Sequence, residues 1–256
     1  MDTANALWFM FHNNMLVVRC NRDGTYGVPE GVRPPLQPLG PVHAVGVHAG
    51  RPCFACAVGA SEGRGLSPLD LRSAYDALGP DLYAAAGKGS QMLHWDSRSR
   101  YCPACGTATV AAGPLAKRCP SCEQEMFPSI ATAILALVRK EDTALLVRGL
   151  NFRGKNHGLV AGFLEVGESL EECVHREVLE ETGLTIANLR YFGSQPWPYP
   201  SGLMVGFVAD YQSGDIVLQL DELEAGAFYG RNSLPLLPHE LSLARRMIDW
   251  WRTQPL

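Results

Sequence analysis

The alternation of apolar and polar residues predicts a chain of short strands interrupted by a few helices. Residues 7–11 and 15–18 read as two strands joined by Asn13-Asn14, residue types that accept a tight turn. The Gly- and Pro-rich stretch GVPEGVRPPLQPLGP that follows is best read as loop. Residues 43–48 alternate and residues 53–58 form an apolar run, so both suit strands. The segment 67–78 opens with SPLD, a Ser N-cap followed by Pro at the first helical position, and predicts a helix that ends at Gly79. A second helix is expected over 81–95. Farther on, strands are expected at 131–138 and 144–147 around the charged turn RKEDT, and at 159–163. A helix over 169–182 stops at Gly183. Strands at 189–194 and 203–211 flank a Pro-rich loop; a strand at 224–229 and a helix at 239–252 finish the pattern. The expectation is an α+β protein with an N-terminal α/β domain over 1–98, a cysteine module over 99–127 and a third domain over 128–256.

Composition narrows the class of protein. The chain has 256 residues, 46% of them hydrophobic, and a net charge of -4. That charge excludes a global basic field of the kind that attracts nucleic acid. No apolar run reaches the roughly 20 residues that span a bilayer. The opening MDTANALWFMFHNN has no basic region ahead of its short apolar stretch, so it does not read as a signal peptide, and the cytoplasm is the expected compartment.

Four of the eight cysteines lie in YCPACGTATVAAGPLAKRCPSC. Two residues between cysteines let one tight turn aim both sulfurs at a point, and two such turns supply four thiolates for tetrahedral zinc. Cys102, Cys105, Cys119 and Cys122 are therefore expected to hold one structural Zn²⁺. Lys117 and Arg118, between the pairs, read as a solvated tip. A third pair, Cys53 and Cys56, has no matching partner pair and sits in the apolar run RPCFACAV, as buried core thiols do.

The chemistry is concentrated in GFLEVGESLEECVHREVLEETGL, residues 162–184. With Glu177 at zero on a helical wheel, Glu181 lies at about 40° and Glu180 at about -60°. Three carboxylates on one face repel unless a cation lies between them, and hard divalent ions take oxygen ligands. Arg176 is placed to pin a carboxylate in a bidentate pair. Gly162 ends a strand and leaves room near the backbone, and Glu168 precedes the helix within reach of the cluster. The alternative for such a segment is an exposed acidic helix with an ordinary Arg176–Glu180 pair. Every defined position nevertheless matches the Nudix box, G-x5-E-x7-R-E-U-x-E-E-x-G-U with U aliphatic, and the chain resembles the Nudix hydrolases in it.

After the box comes SQPWPYPSG. Pro196, Pro198 and Pro200 stiffen this stretch, Trp197 and Tyr199 offer flat faces for a base or nicotinamide ring, and Gln195 carries both donor and acceptor. Ribbon, box and this segment, in that order, resemble the NADH pyrophosphatases, which also remove NAD caps from RNA. Their marker is SQPWPFPxS. Here Tyr199 replaces Phe and Gly202 stands where the last Ser is expected, with Ser201 before it.

That resemblance implies a Nudix fold with a mixed sheet between helices, Mg²⁺ or Mn²⁺ at the catalytic site and a homodimer. It implies metal ligation by the backbone carbonyl of Ala161 and by Glu177, Glu181 and Glu222. It also places Phe127, Arg72 and Ala244 at substrate-lining positions. The implied reaction is hydrolysis of NADH or NAD⁺ to nicotinamide mononucleotide and AMP, and removal of the NAD cap from RNA to leave a 5′-monophosphate. A Nudix hydrolase of other substrates, such as ADP-ribose or nucleoside triphosphates, and a non-catalytic nucleotide sensor are the competing readings.

Overall fold

The computed structural model describes residues 5–61, 63, 65–150 and 154–254. It divides into two compact units, Met1–Ser129 with Pro198–Ser201, and Ile130–Trp197 with Gly202–Leu256.

In the first unit, β1 (Ala6–His12), β2 (Met15–Cys20), β3 (Tyr26–Gly27), β4 (Glu30–Gly31), β5 (His43–His48), β6 (Arg51–Ala57) and β7 (Leu66–Leu69) share one sheet. Asn13 and Asn14 both take positive φ, 48° and 65°, as a two-residue hairpin turn between β1 and β2 requires. β6 runs parallel to β1 and antiparallel to β5. Two helices follow, α1 (Ala74–Leu78) and α2 (Pro80–Arg98), separated at Gly79 with φ 83°. α2 lies close to β6: a Cβ at Gly89 would sit 2.7 Å from the Ala55 Cβ. Cys53 and Cys56 are both buried. Three residues apart on a strand, they point to opposite faces of the sheet.

The expected helix over 67–78 is corrected. Leu66–Leu69 is an edge strand paired with β2, Pro68 opposite Val17, and only Ala74–Leu78 is helical. An edge position tolerates Pro because its missing N–H costs no ladder bond.

The cysteine module carries β8 (Val110–Gly113), β9 (Ala116–Arg118) and β10 (Glu125–Met126). Here a second expectation fails. Lys117 is no solvated tip: its ammonium lies 2.8 Å from Asp96 Oδ1 and donates to the Asp96 carbonyl at 2.9 Å. A Lys stem lies readily along apolar surface, and this one carries its charge to a buried carboxylate on α2.

The second unit holds a mixed sheet of β11 (Ala131–Lys140), β12 (Thr143–Gly149), β13 (Val160–Phe163), β14 (Thr185–Trp197), β15 (Gly202–Ser213) and β16 (Leu223–Gly230). β11 and β15 run parallel and the other pairs antiparallel. Side-chain alternation along β11 builds two cores. Ile134, Ala136 and Val138 meet Cys173, Val174 and Val178 of α3 (Leu170–Thr182) on one face. Leu135 and Leu137 meet Leu243, Met247 and Trp251 of α4 (Leu243–Thr253) on the other. The Pro-rich loop is shorter than expected, because β14 runs on through Trp197 against β15. β14 is an edge strand, which accommodates Pro196. α4 starts later than expected, at a Ser242 cap that accepts from the Arg245 N–H. Among the described residues no helix is long and apolar enough to cross a membrane.

Candidate active site and zinc centre

α3 is bounded at both ends by local chemistry. Ser169 Oγ accepts from the Glu172 N–H at 3.2 Å, and the Glu172 carboxylate accepts from the Ser169 N–H at 2.8 Å. This reciprocal capping box starts the helix. Gly183, with φ 72°, ends it in the left-handed conformation that Gly adopts without strain.

Along this helix Arg176 organises the carboxylates. Its Nε and Nη2 donate to the two oxygens of Glu168 at 2.7 and 2.9 Å. Its Nη1 donates to Glu177 Oε1 at 2.8 Å and to Glu180 Oε2 at 3.1 Å, and Nη2 also reaches the Phe163 carbonyl at 3.0 Å. Arg176 thus holds the Glu168 carboxyl down to about 2. The role of the Phe163 carbonyl was not legible, since any residue type supplies a backbone carbonyl.

Glu177 and Glu181 are buried, whereas Glu180 stands exposed at the edge of the group. Burial raises the Glu177 carboxyl and Arg176 opposes it. Burial pushes Glu181 up to about 8, with the charges of Glu177 and Glu222 adding to the effect and an Ala161 backbone hydrogen bond opposing it. Glu181 Oε2 is buried without a hydrogen-bond partner among the described residues. An acid so placed is costly to ionise unless a cation compensates it. Carboxylates from Glu177, Glu181 and Glu222, with the Ala161 backbone hydrogen-bonded to Glu181, are the donor chemistry of a hard divalent ion. The residues fit such an ion.

Gly162 serves differently from expectation. A Cβ there would lie 1.7 Å from the Glu177 Cδ, so the space beside the strand is filled by the Glu177 carboxylate itself.

The segment after the box is anchored. Gln195 spends its amide on the start of α4, donating to the Leu241 carbonyl at 2.8 Å and accepting from the Leu243 N–H at 2.6 Å. In the first unit, the Tyr199 hydroxyl lies 3.0 Å from that of Tyr83, and the Arg72 guanidinium sits 4.1 Å from the Tyr199 ring centroid. Pro198 packs over Gly87 of α2, where a Cβ would come within 3.1 Å of its Cγ. Ser201 Oγ donates to the Ser129 carbonyl at 3.0 Å. Phe127 is 60% exposed in the first unit, and Ala244 is buried at the start of α4 in the second. At Gly202 a Cβ would lie 3.2 Å from the Trp197 carbonyl oxygen, a tight fit for any larger residue. Tyr83 carried no signal in the sequence, because its partner is 116 residues away.

The four module cysteines come together with all their sulfurs within 4.8 Å of one another. The sulfurs lie 3.5 Å apart for Cys102–Cys122, 3.4 Å for Cys105–Cys119 and 3.7 Å for Cys105–Cys122. Tetrahedral zinc at 2.3 Å from each sulfur implies edges of about 3.8 Å. The two knuckles repeat one design. Gly106 N–H donates to the Cys102 carbonyl at 2.9 Å and Glu123 N–H to the Cys119 carbonyl at 3.0 Å, with positive φ at Gly106 (73°) and Glu123 (59°). The site is closed by four protein ligands and is structural. Among the described residues no carboxylate group is gathered as tightly.

Known families and proteins resemble the chain over residues 5–251. A family model described as an NADH pyrophosphatase-like rudimentary NUDIX domain matches residues 5–95, an NADH pyrophosphatase zinc ribbon domain matches 97–127, and a NUDIX domain matches 128–251. A protein of Chromobacterium violaceum named NAD-capped RNA hydrolase NudC is 40% identical over 206 residues, 80% of this chain and 78% of that one. One of the same name from Klebsiella pneumoniae is 42% identical over 171 residues, 66% of each chain. A solved NUDIX hydrolase from Nitrosomonas europaea shares the fold with a TM-score of 0.50 at 19% identity, over 59% of this chain and 90% of that one. On the strength of these matches, the chain belongs to the NADH pyrophosphatase branch of the Nudix hydrolases.

Proposed function

We propose that this enzyme hydrolyses the pyrophosphate bond of NADH or NAD⁺ to nicotinamide mononucleotide, reduced when NADH is the substrate, and AMP. The same cut in NAD-capped RNA releases nicotinamide mononucleotide and leaves a 5′-monophosphate end. The observation that carries the chemistry is the buried, unpartnered Glu181 oxygen beside Glu177 and Glu222 on a helix with a complete Nudix box. The family and the names of its relatives support the substrate class.

In this reading Glu177, Glu181, Glu222 and the Ala161 carbonyl hold Mg²⁺ or Mn²⁺. Bound there, the ions offset phosphate charge, orient the pyrophosphate and lower the pKa of a water. The protein supplies the rest by positioning. Arg176 orients Glu177 and Glu180 and is itself locked by Glu168, so the cluster keeps one geometry. Gln195 sets the start of α4 and with it Ala244. Trp197 presents aromatic surface to the dinucleotide, and the family resemblance gives Phe127, exposed in its own unit, a substrate-lining position; Tyr199, whose ring Arg72 already covers, acts with Arg72 to hold its segment in place. Pro196, Pro198, Pro200, Ser201 and Gly202 shape the backbone of that segment. The reading includes a homodimer in the cytoplasm, and sedimentation equilibrium checks the assembly.

Incubation with Mg²⁺ or Mn²⁺ and NADH, NAD-capped RNA or ADP-ribose, followed by mass identification of products, tests the proposal. Nicotinamide mononucleotide from the first two supports it, and kcat/KM ranks them. Cleavage of ADP-ribose alone would replace it with a different Nudix specificity.

A further inference from the structure

Within the first unit a cavity of about 660 Å³ is lined by residues that the pyrophosphatase reading does not use. Its size is that of a small-molecule site. Met92 and Trp95 come from α2, Pro41 and Val42 from the segment before β5, and Pro114 from the β8–β9 turn. Polar groups gather among them. Lys117 joins Asp96 at 2.8 Å, and His43 Nε2 lies 4.0 Å from the same carboxylate oxygen, too far for a hydrogen bond. Arg100, exposed at the rim, adds a second permanent positive charge.

Two buried atoms here lack partners among the described residues, Trp95 Nε1 and His43 Nε2. Trp95 is 8% exposed, and its indole N–H is a donor only. Buried polar groups are nearly always paired, so an orphaned donor in a cavity wall marks a place for an acceptor. Lys117 has three N–H bonds and spends two of them on Asp96. Burial, with Lys117 contributing, disfavours the charged form of His43, and Asp96 opposes that. The wall therefore carries two permanent cations against one carboxylate, with the Trp95 N–H as a further donor. Its remaining surface, indole, thioether and proline rings, suits a flat apolar body.

We propose that this cavity is a second ligand site that binds a nucleoside monophosphate, its phosphate toward Arg100 and Lys117 and its base against Met92 and Trp95. The same chemical unit occurs free and at the 5′ end of an RNA chain. The indole N–H of Trp95 takes an acceptor atom of the ligand after a small side-chain adjustment.

The test uses the full-length zinc-loaded protein without Mg²⁺, ¹⁵N-labelled at its five tryptophans. AMP is titrated while the indole N–H signals are followed, with Trp95 assigned through Trp95→Phe. The Trp95 signal is expected to move and saturate, and that of Trp8, which is bonded to the Gly31 carbonyl, to stay. Inorganic phosphate should leave the Trp95 signal in place. A 5′-phosphorylated tetraribonucleotide that moves it as AMP does assigns the site to RNA ends; one that does not assigns it to free mononucleotides. Calorimetry should give AMP about tenfold weaker affinity in Arg100→Gln, whose change at an exposed position leaves the fold alone, and unchanged affinity in Glu181→Gln. A Trp95 signal unmoved at millimolar AMP, an equal shift with inorganic phosphate, or affinity lost in Glu181→Gln but kept in Arg100→Gln would each overturn the proposal.

Discussion

The Cα of Gly162 and the carboxylate of Glu177 are packed so closely that a Cβ on the glycine would lie 1.7 Å from the Glu177 Cδ. The strand that starts the Nudix box is thus the wall against which the carboxylate rests. Gly162→Ala must push Glu177 off that wall, so kcat should fall by about 100-fold, as misplacement of a catalytic group by about 1 Å does. Overpacking should also cost about 1–3 kcal/mol of stability. Steady-state kinetics with a urea melt checks both, and an alanine variant with normal kcat would mean that the Glu177 position is unimportant.

Arg176 divides five hydrogen bonds between three carboxylates and one carbonyl. A lysine keeps the charge but loses the planar fork. Arg176→Lys should retain the fold and lose at least tenfold in kcat, with a smaller change in KM. Circular dichroism and kinetics in the same buffer distinguish this from simple unfolding.

Glu181 gives the metal-free protein a pH signature. Its folded carboxyl lies at about 8 against an ordinary 4.5. Between those values the native state binds a proton that the unfolded state has released. Stability of the zinc-loaded, Mg²⁺-free protein should therefore fall as pH rises from about 4.5 to about 8, and change little below that window on account of this group. The raised carboxyl of Glu177 acts in the same direction. Melting curves from pH 5 to 9 should show the decline, Mg²⁺ should reduce it, and Glu181→Gln should flatten it. An unchanged slope in the variant would contradict the assignment.

Thiol reactivity reads the zinc centre. Cys20 is exposed, whereas Cys53, Cys56 and Cys173 are buried, and burial raises the thiols of Cys56 to about 11 and Cys173 to about 12. With zinc held by the other four, one thiol per chain should react rapidly with an aromatic disulfide reagent. A strong chelator should release one zinc, expose four more thiols and lower the melting temperature. Five fast thiols before chelation would show that the cysteines hold no metal.

The Tyr83–Tyr199 hydroxyl contact ties the tyrosine of the SQPWPYPSG segment to α2. Phe at 199 leaves the partly buried Tyr83 hydroxyl without this partner, and Tyr83→Phe does the reverse. Each single change should cost about 0.5–1.5 kcal/mol, and a double-mutant cycle should give less than the sum. Strict additivity would rule out the contact.

Local and periodic features were legible in the sequence. The apolar residues over 131–138 marked β11 as a strand, and Gly183 marked the end of the helix read from 169. The cysteine spacing was enough to place a ribbon. Readings that depended on distant partners failed. SPLD has the local form of a helix start, but β2 offered it an edge to pair with. Lys117 looked solvated until α2 brought Asp96 beside it. Gln195 looked free to meet a ligand, and the backbone before α4 takes both ends of its amide. In each case the deciding group lies at least 21 residues away along the chain.

The most direct measurement is the turnover of NADH with Mg²⁺ by the wild-type protein and by Glu181→Gln, with zinc content and folding checked in both. The account predicts conversion to reduced nicotinamide mononucleotide and AMP by the wild type, and a loss of at least 100-fold in kcat by a folded, zinc-loaded variant. A variant that keeps full turnover would contradict the claim that the buried Glu181 carboxylate is the centre of a metal-dependent site.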